Sequence, residues 1–245
     1  MPLHFLVETS GAAHPGDTVT LTGPEAHHAA VVRRVRVGEA VTVGDGSGAW
    51  LTGECESASA KEVVVRVTRR EDVSAASPRL VLVQALAKGD RDELAVQAAT
   101  ELGVDEIVPW QAARSVSRWD AAKAAKGTAR WAAIAREAAK QAHRAWLPEV
   151  SALATTDDLV RRAAASVVLV LKPTATAALS QTRLDAGDDR DILLVVGPEG
   201  GIDPGELERL AHAGATEVRL GTTVLRTSTA GPAALAVVSG ILGRW

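Results

Sequence analysis

One pentapeptide, Gly197-Pro198-Glu199-Gly200-Gly201, packs three glycines and an acid directly behind an apolar run over residues 192–196. Without a Cβ, a glycine lets backbone N–H and C=O groups touch a flat ligand and takes positive φ freely. The pentapeptide is followed by no Gly-Lys-Ser/Thr and does not match Gly-x-Gly-x-x-Gly, so neither a P-loop nor a dinucleotide fingerprint is present. Taken alone, it reads either as a ligand loop or as a plain tight turn. A second polar, glycine-containing segment follows, Leu220-Gly221-Thr222-Thr223-Val224-Leu225-Arg226-Thr227. A third loop, polar but without glycine, begins at Leu171-Lys172-Pro173, where the apolar run 167–171 ends. Two of these residues carry charge suited to catalysis. Arg226 is a cation able to stabilise a developing oxyanion, or to position a phosphate or a neighbouring chain. Glu199 is a carboxylate able to accept a proton, with its pKa raised if buried, or to cap the N–H groups of the turn that follows.

The elements that would position these loops alternate strand and helix. Residues 80–86, 106–108, 167–171, 192–196 and 217–220 read as strands. Residues 92–102 read as a helix closed by Gly103. Asp203, Pro204 and Glu206 form a helix start: a capping acid, a proline at the first position and a reciprocal Glu. Gly214 sits where that helix should end, and residues 230–242 read as a final apolar helix, a dimer surface or a buried intrachain element. Alternation of this kind implies a mostly parallel sheet, with ligands at the C-terminal ends of its strands. Residues 121–146 read as one long helical region, with a break near Gly127. In it Trp131, Ala135, Ala138 and Ala142 form an apolar stripe, and Arg136, Lys140 and Arg144 a basic one. The acidic stretch 185–191 reads as a solvated loop.

The first 72 residues have a different grammar. Short strands are expected over residues 18–22, 40–44, 49–53 and 63–68, with a hairpin turn at Asp45-Gly46-Ser47-Gly48. A helix over 24–35 interrupts them, and the pattern suggests a small β-barrel. That helix ends in Arg33, Arg34 and Arg36, three guanidinium groups that suit phosphate contact. His27 and His28, adjacent on a helix, point about 100° apart and do not share a metal; no metal is expected. Residues 73–79, rich in small residues and proline, read as the linker, leaving 80–245 as the second domain.

Composition narrows the classes. The 245 residues carry a net charge of −3 and a single cysteine, Cys55, which excludes an intramolecular disulfide and a cysteine-built metal site. No run approaches membrane-spanning length and no secretory signal is read at the N-terminus, so a soluble cytoplasmic protein is expected. The overall charge does not point to nucleic acid, but residues 110–150 hold eight lysines and arginines against three acids. Such a local surface serves phosphate binding or is simply a solvated helical face.

The pairing of GPEGG with the later LG…VLRT.TA resembles the RsmE family of SPOUT-class methyltransferases, which modify N3 of a uridine in 16S ribosomal RNA. The likeness extends along the chain. HH…VVRRVRVGE followed by DGSG resembles the family's PUA-like RNA-binding domain. Lys88, Glu93 and the run Ala99-Thr100-Glu101-Leu102-Gly103-Val104 resemble the start of its catalytic domain, and Glu137, Lys140, Gln141, His143 and Arg144 its A-E-Q-R helix. The resemblance implies a PUA-like domain over residues 1–72 and, over 80–245, an α/β domain whose C-terminal segment is threaded into a trefoil knot, a topology that is otherwise rare. It implies S-adenosylmethionine bound by Leu171, Lys172, Pro173, Gly197, Pro198, Glu199, Gly200, Gly201, Leu220, Gly221, Val224, Leu225, Arg226 and Thr227. RNA contacts are implied for Arg33, Arg34, Arg36, Lys88, Arg136, Lys140 and Arg144. A homodimer is implied, acting on the uridine known as position 1498, within the small ribosomal subunit. Two positions depart from the family: His4 stands near an expected arginine, and Ser228 replaces an acid, although a serine could still cap the helix that follows. Alternatives are a SPOUT enzyme for another RNA, such as a transfer RNA, and a non-catalytic RNA-binding protein of the same fold.

Overall fold

The computed structural model describes residues 2–7, 10–185 and 187–245; Met1, Glu8 and Thr9 of the N-terminal stretch and Ala186 of the acidic stretch lie outside the described residues. The chain forms two compact units, Met1–Ala75 with Ala139–Leu147, and Ala76–Ala138 with Pro148–Trp245.

The first unit is a curled five-stranded sheet. Its strands are β1 (Leu3–Leu6), β2 (Thr18–Thr22), β3 (Ala40–Gly44), β4 (Ala49–Ala58) and β5 (Glu62–Asp72), ordered β1-β3-β4-β5-β2. Only the β1–β3 pair is parallel. Alternation along the strands turns Val41, Val43, Leu51, Val63, Val65 and Val67 inward onto Phe5 and Leu21. Helix α1 (Gly23–His27) runs on into a wide turn, His28–Val32, in which the Arg33 N–H returns to the His28 carbonyl at 2.8 Å. Arg34 then takes φ 57°. The predicted helix therefore stops short of Val35, because this left-handed residue swings Val35 into the core and leaves Arg33, Arg34 and Arg36 exposed.

The hairpin at Asp45-Gly48 forms as expected, with Asp45 Oδ1 accepting from the N–H groups of Ser47 and Ala49. Its glycines have a tertiary reason. A Cβ on Gly46 would lie 2.6 Å from Leu147, and one on Gly48 would lie 2.9 Å from Trp146, and both residues have positive φ. In the same unit His4 is buried, stacked on Trp50 at 4.2 Å between ring centroids, with Nδ1 3.0 Å from Thr42 Oγ1.

The second unit is a six-stranded, wholly parallel sheet. Its strands are β6 (Leu80–Ala85), β7 (Glu106–Trp110), β8 (Glu149–Val150), β9 (Val167–Leu171), β10 (Ile192–Val196) and β11 (Thr216–Val218). The order is β11-β9-β10-β6-β7-β8. Strands buried on both faces need no alternation, which explains the continuous apolar runs. Leu80, Leu82, Leu194 and Val196 face one layer with Trp131, Leu235 and Val238, while Val81, Val83, Leu193 and Val195 face another with Leu159 and Leu210. Helices α2 (Arg91–Glu101), α3 (Ala121–Gln141) and α6 (Thr227–Ile241) cover the first face, and α4 (Thr156–Ala163) and α5 (Pro204–His212) the second.

Several boundaries move for identifiable reasons. Strand β7 continues through Pro109, which has no N–H for the ladder, because the β8 ladder ends at Ile107. Helix α3 is unbroken at Gly127, where a Cβ would lie 2.5 Å from the Trp119 ring. It ends at Gln141, short of residue 146, because His143 takes φ 53° and the Arg144 N–H folds back to the Ala139 carbonyl. Elements β8 and α4 were not anticipated, although Thr155 and Asp158 form a reciprocal cap. The final helix begins at Thr227 with Arg226 as N-cap, and Ser228 makes no cap. One face of it is an intrachain element: Ala234, Leu235 and Val238 are wholly buried, and a Cβ on Gly231 would lie 2.7 Å from Leu82.

Candidate functional site

The parallel register brings strand ends from across the sequence into one row. Val196 pairs with both Gln84 and Leu171, and Leu171 pairs with Val218. The loops that follow β9, β10 and β11 therefore emerge side by side, next to the point where strand order reverses between β6 and β10. That is where an open α/β sheet offers a ligand crevice.

A cavity of about 480 Å³ lies there. It is lined by thirteen of the fourteen residues assigned above to the cofactor: Leu171, Lys172, Pro173, Gly197, Pro198, Glu199, Gly201, Leu220, Gly221, Val224, Leu225, Arg226 and Thr227. Gly200 alone stands off the lining, backed by Arg114. Gly197 is required by crowding, since a Cβ would sit 2.6 Å from Ile202, and Gly201 by its φ of 73°. Arg91, Val196, Ile202, Leu207, Thr223 and Ala230 complete the wall. Thr223 belongs to the second polar segment; the rest are not evident from sequence, because an arginine in the first turn of α2 looks like a solvated one and Val196, Ile202, Leu207 and Ala230 look like core.

Hydrogen bonds fix the loops to one another. Buried Gln84 donates from Nε2 to Thr227 Oγ1 at 2.8 Å, and Thr227 donates to the Gly197 carbonyl at 3.1 Å. Lys172 Nζ pairs with Glu217 at 2.8 Å, so its charge ties β9 to β11 and only the rest of the residue faces the cavity. The Asp203–Glu206 reciprocal cap forms as the sequence implied. Buried Glu206 also accepts from the Ala113 N–H and from Thr156 Oγ1, holding the segment after β7 against α5.

Glu199 departs from its reading as a base with a raised pKa. Its partial burial favours the neutral form, but N–H groups of its own residue and of Lys88, with the Arg91 guanidinium, outweigh this and hold it below the ordinary carboxylate value. The Lys88 N–H lies 3.1 Å and Arg91 2.9 Å from Oε1. Nor does the side chain cap the following turn; it reaches back to the β6–α2 loop. Arg226 is exposed at the cavity and makes no ion pair among the described residues.

The residues assigned to RNA are divided. Arg33, Arg34 and Arg36 cluster on the first unit, exposed and with no side-chain ion pair among the described residues. Exposed Val31, Val32 and Val37 lie among them. Lys88 is exposed and Arg136 half-buried on the second unit. The basic stripe on α3 does not hold at Lys140, which is 7 % exposed with Nζ 2.6 Å from Glu25 Oε1. Arg144 lies beyond the helix end, half-buried. Among the described residues no group of three or more His, Cys, Asp or Glu is placed to hold a metal, and no helix is long and apolar enough to cross a membrane.

The cavity has the features a nucleoside sulfonium ligand needs: apolar walls at Leu171, Val196, Ile202 and Leu225, backbone from three loops, and an ionised carboxylate. Comparison with known proteins agrees with this geometry. Residues 75–239 match the RNA methyltransferase domain family and residues 21–68 the RNA methyltransferase PUA domain family. The chain is 45% identical to ribosomal RNA small subunit methyltransferase E of Mycobacterium bovis, over 94% of this chain and 89% of the relative. It is 32% identical to the protein of that name from Bacillus subtilis, over 98% and 96%. Among solved structures, a Legionella pneumophila methyltransferase in complex with its cofactor S-adenosylmethionine superposes with a TM-score of 0.85 at 30% identity. The Neisseria gonorrhoeae ribosomal RNA small subunit methyltransferase E, bound to S-adenosylmethionine, superposes with 0.86 at 28%. In both pairs 98% of each chain is covered. With its PUA domain, its parallel-sheet catalytic domain and these relatives, the chain belongs to the RNA methyltransferase family of ribosomal RNA small subunit methyltransferase E.

Proposed function

We propose that this protein methylates ribosomal RNA with S-adenosylmethionine, and that the target is N3 of a uridine in 16S RNA, the position known as 1498 in the family. The observation that carries the reading is the convergence of the three loops after β9, β10 and β11 on one cavity, locked by Gln84, Thr227 and Gly197. S-adenosylmethionine, when bound, supplies an electrophilic methyl group. The backbone of residues 197–201 and 220–225 holds and orients it, and the Glu199–Arg91 pair anchors the wall. Uracil N3 is protonated at neutral pH, and charge spreads to its flanking carbonyl oxygens as the proton leaves. Arg226, a guanidinium at the cavity with no ion pair among the described residues, stabilises that charge. Arg33, Arg34 and Arg36 contact phosphates. The protein works as a homodimer in the cytoplasm, on the small ribosomal subunit.

The test is transfer of radiolabelled methyl to unmodified small subunits, with the product nucleoside identified by mass. N3-methyluridine supports the whole reading. Transfer to another base or RNA retains the enzyme and replaces its target, while cofactor binding without any transfer shifts the reading toward an RNA-binding role. Sedimentation of the purified chain checks the dimer.

A further inference from the structure

The β6–α2 loop and the first turn of α2 have two sides. Arg91 lines the cavity just described, while Lys88 and Asp92 line a second one of about 350 Å³, closed by Ser117, Trp119, Gly127 and Trp131. Glu199 joins the two, since it belongs to the first cavity and accepts the Lys88 N–H.

The second cavity has one aromatic wall held in place from three directions. Gly127 leaves room for the Trp119 ring, since a Cβ would stand 2.5 Å away. Trp131 meets Trp119 edge-on, with centroids 5.5 Å apart and planes at 71°. The Trp119 backbone N–H donates to Gln111 Oε1 at 2.9 Å. Trp119 packs against the core of the second unit and as a residue stays partly exposed. The charges are sorted as well. Glu93 is neutralised by Arg130 at 2.7 Å. Asp92 accepts the N–H groups of Ala87 and Glu93, and so shapes the loop. The Lys88 ammonium is exposed and makes no ion pair among the described residues. A flat aromatic face beside one unneutralised cation suits a planar ring with oxygen acceptors on its edge. A base modified on its pairing edge must leave its stack and enter such a pocket.

We propose that this second cavity receives the target uracil, stacked on Trp119, with Lys88 donating to a carbonyl oxygen beside N3. The ammonium favours the form of the ring whose N3 proton has passed to solvent, because the negative charge left behind resides partly on that oxygen. This rests on the reading that the first cavity holds S-adenosylmethionine.

The experiment compares the full-length protein with Trp119→Ala, Trp119→Phe and Lys88→Met. S-adenosylmethionine affinity is measured by calorimetry, and kcat and KM by transfer to unmodified small subunits across pH. Cofactor affinity is expected to stay within about twofold in every variant. Trp119→Ala is expected to lower kcat/KM about tenfold or more, as loss of one stacked base does, with Trp119→Phe restoring most of it. Lys88→Met is expected to lower kcat and move its rise to higher pH. Wild-type kcat/KM and pH profile in Trp119→Ala and Lys88→Met overturn the proposal, as does loss of cofactor binding in Trp119→Ala, which would mark a structural role. Absence of cofactor binding in the wild type fails the donor reading, and the proposal with it.

Discussion

Gln84 and Thr227, 143 residues apart in sequence, meet at 2.8 Å, and Thr227 passes the link on to the Gly197 carbonyl. Both side chains are buried, and Gln84 Oε1 has no partner among the described residues. Thr227→Val keeps the shape and removes both bonds, leaving buried polar groups unpaired at a cost of about 1–3 kcal/mol. Thermal unfolding should show that loss. Calorimetry should show S-adenosylmethionine binding weakened about tenfold, while Thr227→Ser should bind normally.

Arg226 and Glu199 face the same cavity but should fail differently. Arg226→Ala should lower kcat about a hundredfold or more, as loss of an oxyanion donor does, with cofactor affinity held within about tenfold. Glu199 is ionised well into acid, because hydrogen bonds from its own N–H, from Lys88 and from Arg91 outweigh its burial. Glu199→Gln should therefore weaken cofactor binding and leave the shape of the pH–rate profile unchanged from roughly pH 6 to 8. A lost acid limb in that variant would restore Glu199 as a proton acceptor.

The exposed trio Arg33, Arg34 and Arg36 should act on RNA alone. Replacing all three with alanine removes up to three phosphate contacts. The slope of log affinity against log salt should then become shallower by about two to three. S-adenosylmethionine binding should not change. An unaltered salt slope would assign these arginines to the solvated surface.

His4 sets an acid limit on the first unit. Burial, with smaller contributions from the charges of His143 and Lys140, lowers its pKa from 6.5 to about 4. The unfolded chain therefore takes up the proton first as pH falls. The neutral ring's contribution is complete above about pH 6.5 and is lost progressively down to about 4, in total about 3 kcal/mol. Urea unfolding at several pH values should show this slope, and His4→Phe, which keeps an aromatic ring on Trp50, should flatten it.

The loops were legible because their chemistry is local. Glycines at 197 and 201 are needed for backbone reasons that act within a few residues, and the Asp203–Glu206 cap spans one helical turn. Arg91 was not legible as a cavity residue, since its partner Glu199 is 108 positions away. Lys140 was misread for the same reason: its spacing with Arg136 and Arg144 suits an exposed stripe, and only Glu25, 115 positions away, reveals it as buried. Helix α3 was read too long because His143 is not a glycine, and no local signal announces its left-handed turn.

By itself the sequence determined the kinds of element and their order. Strands covered on both faces are largely apolar, and strand ends that approach a ligand are polar and often glycine-containing, so both appear as composition and period. The tertiary structure decided which strand ends became neighbours. Parallel strands are joined by crossovers rather than tight turns, so the register aligning Gln84, Val196, Leu171 and Val218 is set by packing across the whole sheet. That alignment, which no local pattern encodes, turns three separate loops into one cavity.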